Sequence, residues 1–196
     1  IVKLEDQITG VVARLDDNDF TEVGRFEDAH KLVEELDAMK VKLDTFAQTG
    51  HTYQSYQKLF DTEEHEFVNL QAGSVRCDAI KDVWKQIADF NKKQDEWKQG
   101  QFTELNVEEM DKEVQALFKE TYNMHKKVGT PASEKLKDAV SDLRTIMPAI
   151  MDLGNPNIKA RHWDKIFKLI KKDYVPGMEF NLSMLMKGKI MDFKDA

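Results

Sequence analysis

The chain has 196 residues, 33% of them charged and 41% hydrophobic, with a net charge of −7. That length suits one large domain or two small ones. Its mixed charges leave no basic stripe for nucleic acid, and no apolar run of about 18 residues crosses a membrane. Cys77 is the single cysteine, so no internal disulfide forms; with no signal peptide in view, a reducing compartment is expected.

The first clear apolar rhythm is Ala29, Leu32, Leu36, Met39, Leu43 and Phe46, in steps of three and four. Tyr53, Tyr56, Phe60, Phe67 and Leu70 continue it, with Glu63 at the missing position. Ile80, Val83, Ile87, Phe90 and Trp97 form the next seam, with Gln94 in its gap. Met110, Val114, Leu117, Met124 and Val128 follow, then Leu136, Ala139, Leu143, Ile146, Ile150 and Leu153. Seams of this period belong to long helices packed side by side. Nine glycines and four prolines are too few for a turn-rich sheet protein. The expected fold is all-α, an elongated bundle of long antiparallel helices.

Gly50, Gly73, Gly100 and Gly129 separate the seams. They are read as helix ends, because glycine takes the left-handed conformation without a Cβ penalty. Thr130 then serves as an N-cap and Pro131 as the first helical residue. Short connections predict antiparallel neighbours.

The stretch "DLGNPNIKARHWDKI" reads as a corner. Gly154 closes the helix that ends near Leu153, Asn155 caps the next and Pro156 starts it, with no slack. Upstream, Pro148 removes a bond to the Arg144 carbonyl and must kink or split its helix. Trp163, Ile166 and Ile170 share one face of the restarted helix, making Trp163 a packing anchor. His162, beside Arg161, points about 100° away and reads as a structural histidine.

Catalytic motifs are absent from the sequence. There is no Gly-x4-Gly-Lys-Ser/Thr phosphate loop and no Gly-x-Gly-x-x-Gly. One cysteine excludes a cysteine-type zinc site. A carboxylate-bridged dimetal bundle needs two Glu-x-x-His pairs, and only Glu27–His30 is present. "DTEEHEF" places Phe60 and Phe67 on the seam and its charges in water. "KIFKLIKKD" is the solvated face of a helix. No catalytic, cofactor or metal residue is expected.

The run "DVWKQIADFNKKQDEWKQGQFTELNVEEMDKEV" resembles the part of dynein heavy chains where the tail meets the motor. Trp84, then Trp97, then Phe102 and Leu105 carry that resemblance. It continues through "DLRTIMPAIMDLGNPNIKARHWDKIFKLI", where Asn-Pro followed by Arg-His-Trp is the distinctive element. "FNLSMLMKGKIMDF" looks like the family's next short helical segment. The match spans Val75 to Phe193; residues 1–74 are compatible with a tail bundle but carry no motif.

The resemblance implies a non-catalytic mechanical segment. In that family a helical linker lies across an ATP-hydrolysing AAA+ ring and bends during the cycle, and the tail before it carries cargo or anchors to the axoneme. Residues 1–74 would end the tail bundle, 75–153 would form a helical neck at the start of the linker-family region, and 154–196 would lead into the linker. The junction would comprise Pro148, Leu153, Gly154, Asn155, Pro156, Arg161, His162 and Trp163, with Trp84, Trp97, Ile166 and Ile170 as packing anchors. ATP and Mg would act only in the parent motor ring. Partners would be the rest of the heavy chain, other heavy, intermediate or light chains, and microtubules through the parent chain. The wording of these motifs is more axonemal than cytoplasmic, so a cilium or flagellum is expected, with cytoplasm as the alternative. The start at "IVKLEDQ" without Met and the end at "KIMDFKDA" read as a piece of a longer polypeptide.

Two other readings compete. A spectrin-like or coiled-coil scaffold would repeat at about a hundred residues. Laying 1–98 on 99–196 instead pairs Trp84 and Trp97 with Leu182 and Asp195. A helical enzyme or metal carrier fails on its ligand count.

Overall fold

The computed structural model of the protein describes residues 1–188. These form eight α-helices: α1 (Val2–Ala13), α2 (Asn18–Thr21), α3 (Ala29–Leu59), α4 (Val68–Gln99), α5 (Val107–Val128), α6 (Pro131–Leu153), α7 (Ala160–Leu169) and α8 (Leu182–Lys187). Short 3-10 turns occupy Arg14–Asp16, Phe26–Asp28 and Phe102–Glu104. No strand exists among the described residues, only a single antiparallel bridge between Gln101 and Asn181. The fold is all-α, as the periodicity requires. The chain divides into two compact units, Ile1–Asp89 with Met124–Lys135 and Phe90–Asn123 with Leu136–Ala196, so the division falls within α4, α5 and α6.

In the first unit α3 and α4 run antiparallel. The Cys77 thiol lies 3.7 Å from the Leu36 carbonyl, Lys40 reaches Asp78 at 2.7 Å and Lys81 reaches Asp37 at 3.2 Å. Gly50 lies against Phe67 further along, so the partner numbers fall as the first numbers rise. The buried side chains Leu32, Leu36, Met39 and Leu43 of α3, and Ile80, Val83, Ile87 and Phe90 of α4, follow the expected seams, while Phe46 and Trp97 are only half-buried and Trp84 is buried beside the seam. The N-terminal segment runs parallel to α4. Glu5 pairs with His65 at 2.7 Å, Val12 packs on Gly73, Asp16 pairs with Arg76, and the Trp84 indole N–H donates to the Phe20 carbonyl at 2.9 Å. Residues 1–28 carry no sequence motif, yet they bury Ile8, Leu15, Phe20 and Phe26.

Two expected breaks are not breaks. α3 passes through Gly50 and α4 through Gly73. Both glycines are close-approach sites: a Cβ on Gly50 would stand 3.0 Å from the Phe67 ring, and one on Gly73 would stand 2.3 Å from Val12 Cγ2. The chain turns at residues 60–67 instead, so the seam drawn through Tyr56, Phe60 and Phe67 does not exist as one helix. Phe67 is buried, but Phe60 is 73% exposed. α3 ends with Asp61 in the left-handed region (φ 52°). The Asp61 N–H bonds Lys58 O at 3.2 Å and the Thr62 N–H bonds Gln57 O at 2.9 Å. This is a Schellman end on a non-glycine residue, which a search for glycine overlooks.

In the second unit α5 and α6 are antiparallel. Arg144 sits over the Phe118 ring at 4.3 Å, and Gly154 abuts Val107. Lys93 of α4 bonds Glu113 of α5 at 2.7 Å. α5 begins with a reciprocal cap: the Glu109 N–H donates to Asn106 Oδ1 at 3.1 Å and Asn106 Nδ2 donates to the Glu109 carboxylate at 3.2 Å. Its acidic first turn and basic last turn complement the helix dipole. Gly129 (φ 65°) ends α5 as expected; Thr130 Oγ1 accepts from the Ser133 N–H at 3.3 Å and Pro131 opens α6. The buried stripe of α6 is Leu136, Val140, Leu143, Met147 and Ile150, so Val140 and Met147 stand where Ala139 and Ile146 were expected. α6 continues through Pro148, which therefore does not split it.

Candidate functional site

The corner between α6 and α7 is the site singled out by sequence, and its construction differs from the expected one. α6 ends at Leu153, but α7 starts at Ala160 with Lys159 as its N-cap. Asn155 is not a helix cap and Pro156 is not a first helical residue. Residues 154–159 form a connecting turn instead. The Ile158 N–H donates to the Asn155 carbonyl at 2.9 Å, closing a turn with Pro156 at its second position. The Asn157 N–H donates to Asn155 Oδ1 at 2.9 Å, an Asx turn. Asparagine and proline are turn formers as well as cap formers, and here the turn wins.

Gly154 does follow the helix end, but its φ is not in the left-handed region. Its role is steric: a Cβ would meet both Val107 methyls at 2.6 Å. Val107 is the first residue of α5, so this glycine lets the two helix ends touch. Pro148, Asn155, Pro156 and Arg161 are exposed, and Leu153 is half-buried.

His162 has a definite local task. Its Nδ1 accepts the N–H of Lys159 at 3.0 Å, satisfying the helix entrance from the third position. Its other ring nitrogen, Nε2, lies 3.1 Å from Arg161 Nε. Lys168, bonded to Asp164 at 2.7 Å on the same helix, has its pKa raised by that carboxylate.

Trp163 is buried, as expected of an anchor, and it sits among aromatic rings. Its ring centroid lies 4.7 Å from Phe180, 5.8 Å from Phe102 and 6.3 Å from Phe167. Phe102 stacks on Phe180 at 5.9 Å, and the Phe102 N–H donates to the Phe180 carbonyl at 2.8 Å. Phe167 is fully buried while Ile166 and Ile170 are only half-buried, so the inward face of α7 is Trp163–Phe167. An i,i+4 pair fits that face as well as the i,i+3 reading did. Aromatic pairs of this geometry each add about 0.5–1.5 kcal/mol beyond buried area. The short helix at 182–187 follows directly: Asn181 Oδ1 accepts the Met184 N–H at 2.9 Å and caps α8. The remainder of the segment expected to run to Phe193 lies outside the described residues.

Of the other anchors, Trp84 is fully buried in the first unit and Trp97 is half-buried. One constellation superficially suggests chemistry: His125 Nδ1 lies 2.9 Å from Ser133 Oγ. The Ser133 hydroxyl donates to the Thr130 carbonyl at 2.7 Å, so its oxygen accepts from the histidine. That arrangement caps α6 and does not activate a nucleophile. Among the described residues no group of three His, Cys, Asp or Glu is placed to hold a metal ion, and no helix is long and apolar enough to cross a membrane.

What the fold and this corner define is an all-helical segment held by packing, in which Asn155 and Pro156 shape a turn, His162 serves a helix entrance and Trp163 fills a core. Residues 70–196 match the family described as "Dynein heavy chain, N-terminal region 2". The chain belongs to the dynein heavy chain family. It is 26% identical over 97% of its length to the human protein named "Dynein axonemal heavy chain 6" and 23% identical over 97% to mouse "Dynein axonemal heavy chain 3". It is 25% identical over 70% of its length to "Dynein beta chain, ciliary" of Heliocidaris crassispina. It spans 5%, 5% and 3% of the lengths of these relatives. The alignments covering 97% of the chain include residues before 70, which lie outside the family match.

Proposed function

We propose that the chain is a mechanical segment of a dynein heavy chain, joining the tail to the linker that swings over the AAA+ ring. In this reading residues 1–74 end the tail, 75–153 form the neck and 154–196 lead into the linker. The segment itself is non-catalytic. ATP and Mg act in the motor ring of the parent chain, which drives movement along microtubules. Its neighbours are the rest of the heavy chain, and other heavy, intermediate or light chains are its candidate partners. The relatives' axonemal and ciliary names support a cilium or flagellum as its place, over the cytoplasm. Membership of the dynein heavy chain family displaces the spectrin-like scaffold reading.

The observation that carries the mechanical role is the built corner. A turn closed by two hydrogen bonds that Asn155 accepts, a glycine against Val107 and a tryptophan in an aromatic core hold the end of α6 and the start of α7. A stroke passes through such a joint only if the joint does not yield. Six Gly/Ser residues inserted after Gly154 would make a tether of roughly 12–15 Å r.m.s. span. In a full-length motor anchored through its tail, stall force or gliding speed should fall while basal ATPase stays near normal. If stall force and speed are both unchanged, the corner is only a fold junction and the mechanical role is lost.

A further inference from the structure

α3 and α4 are covered unequally. The N-terminal segment packs on the α4 face that carries Gly73 and Trp84. Residue 75 lies two positions beyond Gly73, about 200° around the helix, so it looks the other way. On that other side the two helices leave a trough of about 600 Å³. Leu43, Ala47 and His51 line one wall, and Val68, Gln71 and Val75 line the other.

These are helical stripes. Positions 43, 47 and 51 are four apart, and 68, 71 and 75 are three and four apart, so each set runs straight along its helix. From Leu43 to Gln54 the trough is roughly 16 Å long, about three helical turns. Val68 and Val75 on its rim are 65% and 67% exposed, unusual for valines on a shared stripe. Ala47, a small lining residue, leaves room for a third backbone to come close.

Carboxylates outnumber cations around the trough. Asp44 and Glu66 line it, and Glu63 and Glu64 line an adjoining depression that shares Glu66. Among the described residues no lysine or arginine lines either depression. Lys40, 3.9 Å from Asp44, donates to the lining residue Ser74 at 2.5 Å and is paired with Asp78 at 2.7 Å, which offsets its charge. An apolar floor of helical spacing with an acidic rim fits one kind of occupant.

We infer that this trough docks a basic amphipathic helix of another polypeptide, with apolar residues at i, i+3 or i+4, and i+7 against α3 and α4 and lysine or arginine along its flanks. The helix completes a three-helix layer on the face that the N-terminal segment leaves open. Apolar contact sets the position and the acidic rim selects the charge.

The probe is an 18-residue fluorescent model helix of Leu and Lys with that spacing, compared with a Leu/Glu helix of the same pattern. Anisotropy titration of the 196-residue chain should saturate with the Leu/Lys helix and be at least tenfold weaker with the Leu/Glu helix. Val68→Asp with Val75→Asp should weaken Leu/Lys binding at least tenfold. These two carboxylates add negative charge, so attraction by bulk acidity alone would strengthen binding instead. Val175→Asp, at a valine 62% exposed in the second unit, serves as the control and should leave affinity unchanged. Melting curves check folding; should the aspartate pair unfold the protein, Val68→Ser with Val75→Ser is used, with the same loss expected. Equal binding of both helices, or binding indifferent to the valine substitutions, overturns the proposal. So does self-association of the chain abolished by those substitutions with no peptide binding, which would make the occupant a second copy.

Discussion

The α3–α4 pair and the α6–α7 corner solve the same packing problem differently. The pair buries a repeating, mostly aliphatic seam along two helices of 31 and 32 residues and ties its flanks with Lys40–Asp78 and Lys81–Asp37. Trp84 and Phe90 apart, each residue there adds a modest area, and length supplies the sum. The corner uses a helix of 10 residues and another of 6, too short to hold by seam alone. It concentrates area in Phe102, Trp163, Phe167 and Phe180, drawn from separate stretches of chain. Long helices distribute stability, whereas short ones depend on a few large side chains.

That contrast is broken most directly at Trp163. Trp163→Ala should cost about 3–5 kcal/mol, since it empties the centre of the aromatic cluster. His162→Ala, one residue away, should cost only about 1 kcal/mol, the worth of one helix-entrance bond. Urea unfolding of both variants measures this, and a larger effect at His162 would reverse the assignment.

A smaller effect separates the two uses of glycine. Gly154→Ala drives a methyl into both methyls of Val107 and should cost about 1–3 kcal/mol. Combining it with Val107→Ala should cost less than the sum of the two single changes, because the second makes room for the first. Strict additivity in the same unfolding assay would mean that the contact does not limit the corner.

The smallest effect concerns Cys77 in the long pair. Burial pushes its thiol pKa above the ordinary range, with Asp78 adding to the rise. The folded state therefore keeps the proton to higher pH than the unfolded state. Below the unfolded value of about 8.5 the thiol is protonated in both states and its contribution is intact. As pH rises past that value the unfolded chain ionises first, and stability is lost. Denaturation midpoints between pH 7 and 10 should fall more for the native chain than for Cys77→Ala, after each is referred to its own value at pH 7. Parallel midpoints would show that the thiol is not coupled to folding.

Much of the first comparison was legible in the sequence. The seams of α3 and α4 follow from spacing alone, because an apolar stripe of that period must be buried wherever its partner comes from. The corner was legible only in part. Trp163 announces itself by size, but Phe167, Phe180 and Phe102 become one cluster only when α7 folds back on the turn at 102–104. The role of residues 1–28 was not legible at all. The Trp84 indole bonds a backbone carbonyl, at Phe20, and any residue type can supply a carbonyl.

Local physics determined what the sequence could show by itself: helical class, the ends at Gly100, Gly129 and Leu153, and the cap at Thr130 with Pro131. Each depends on the backbone's own hydrogen bonds within a few residues. Tertiary structure decided the rest. Gly50, Gly73 and Gly154 are chosen for the side chains that lean on them, Phe67, Val12 and Val107, and none of these is a near neighbour in sequence. Asn155 and Pro156 suit a cap and a turn equally well, and the chain takes the turn because α7 begins at Ala160, where Trp163 and Phe167 meet their rings. A glycine's missing Cβ leaves no trace of its reason in the letters around it; only the atom that occupies the space reveals it.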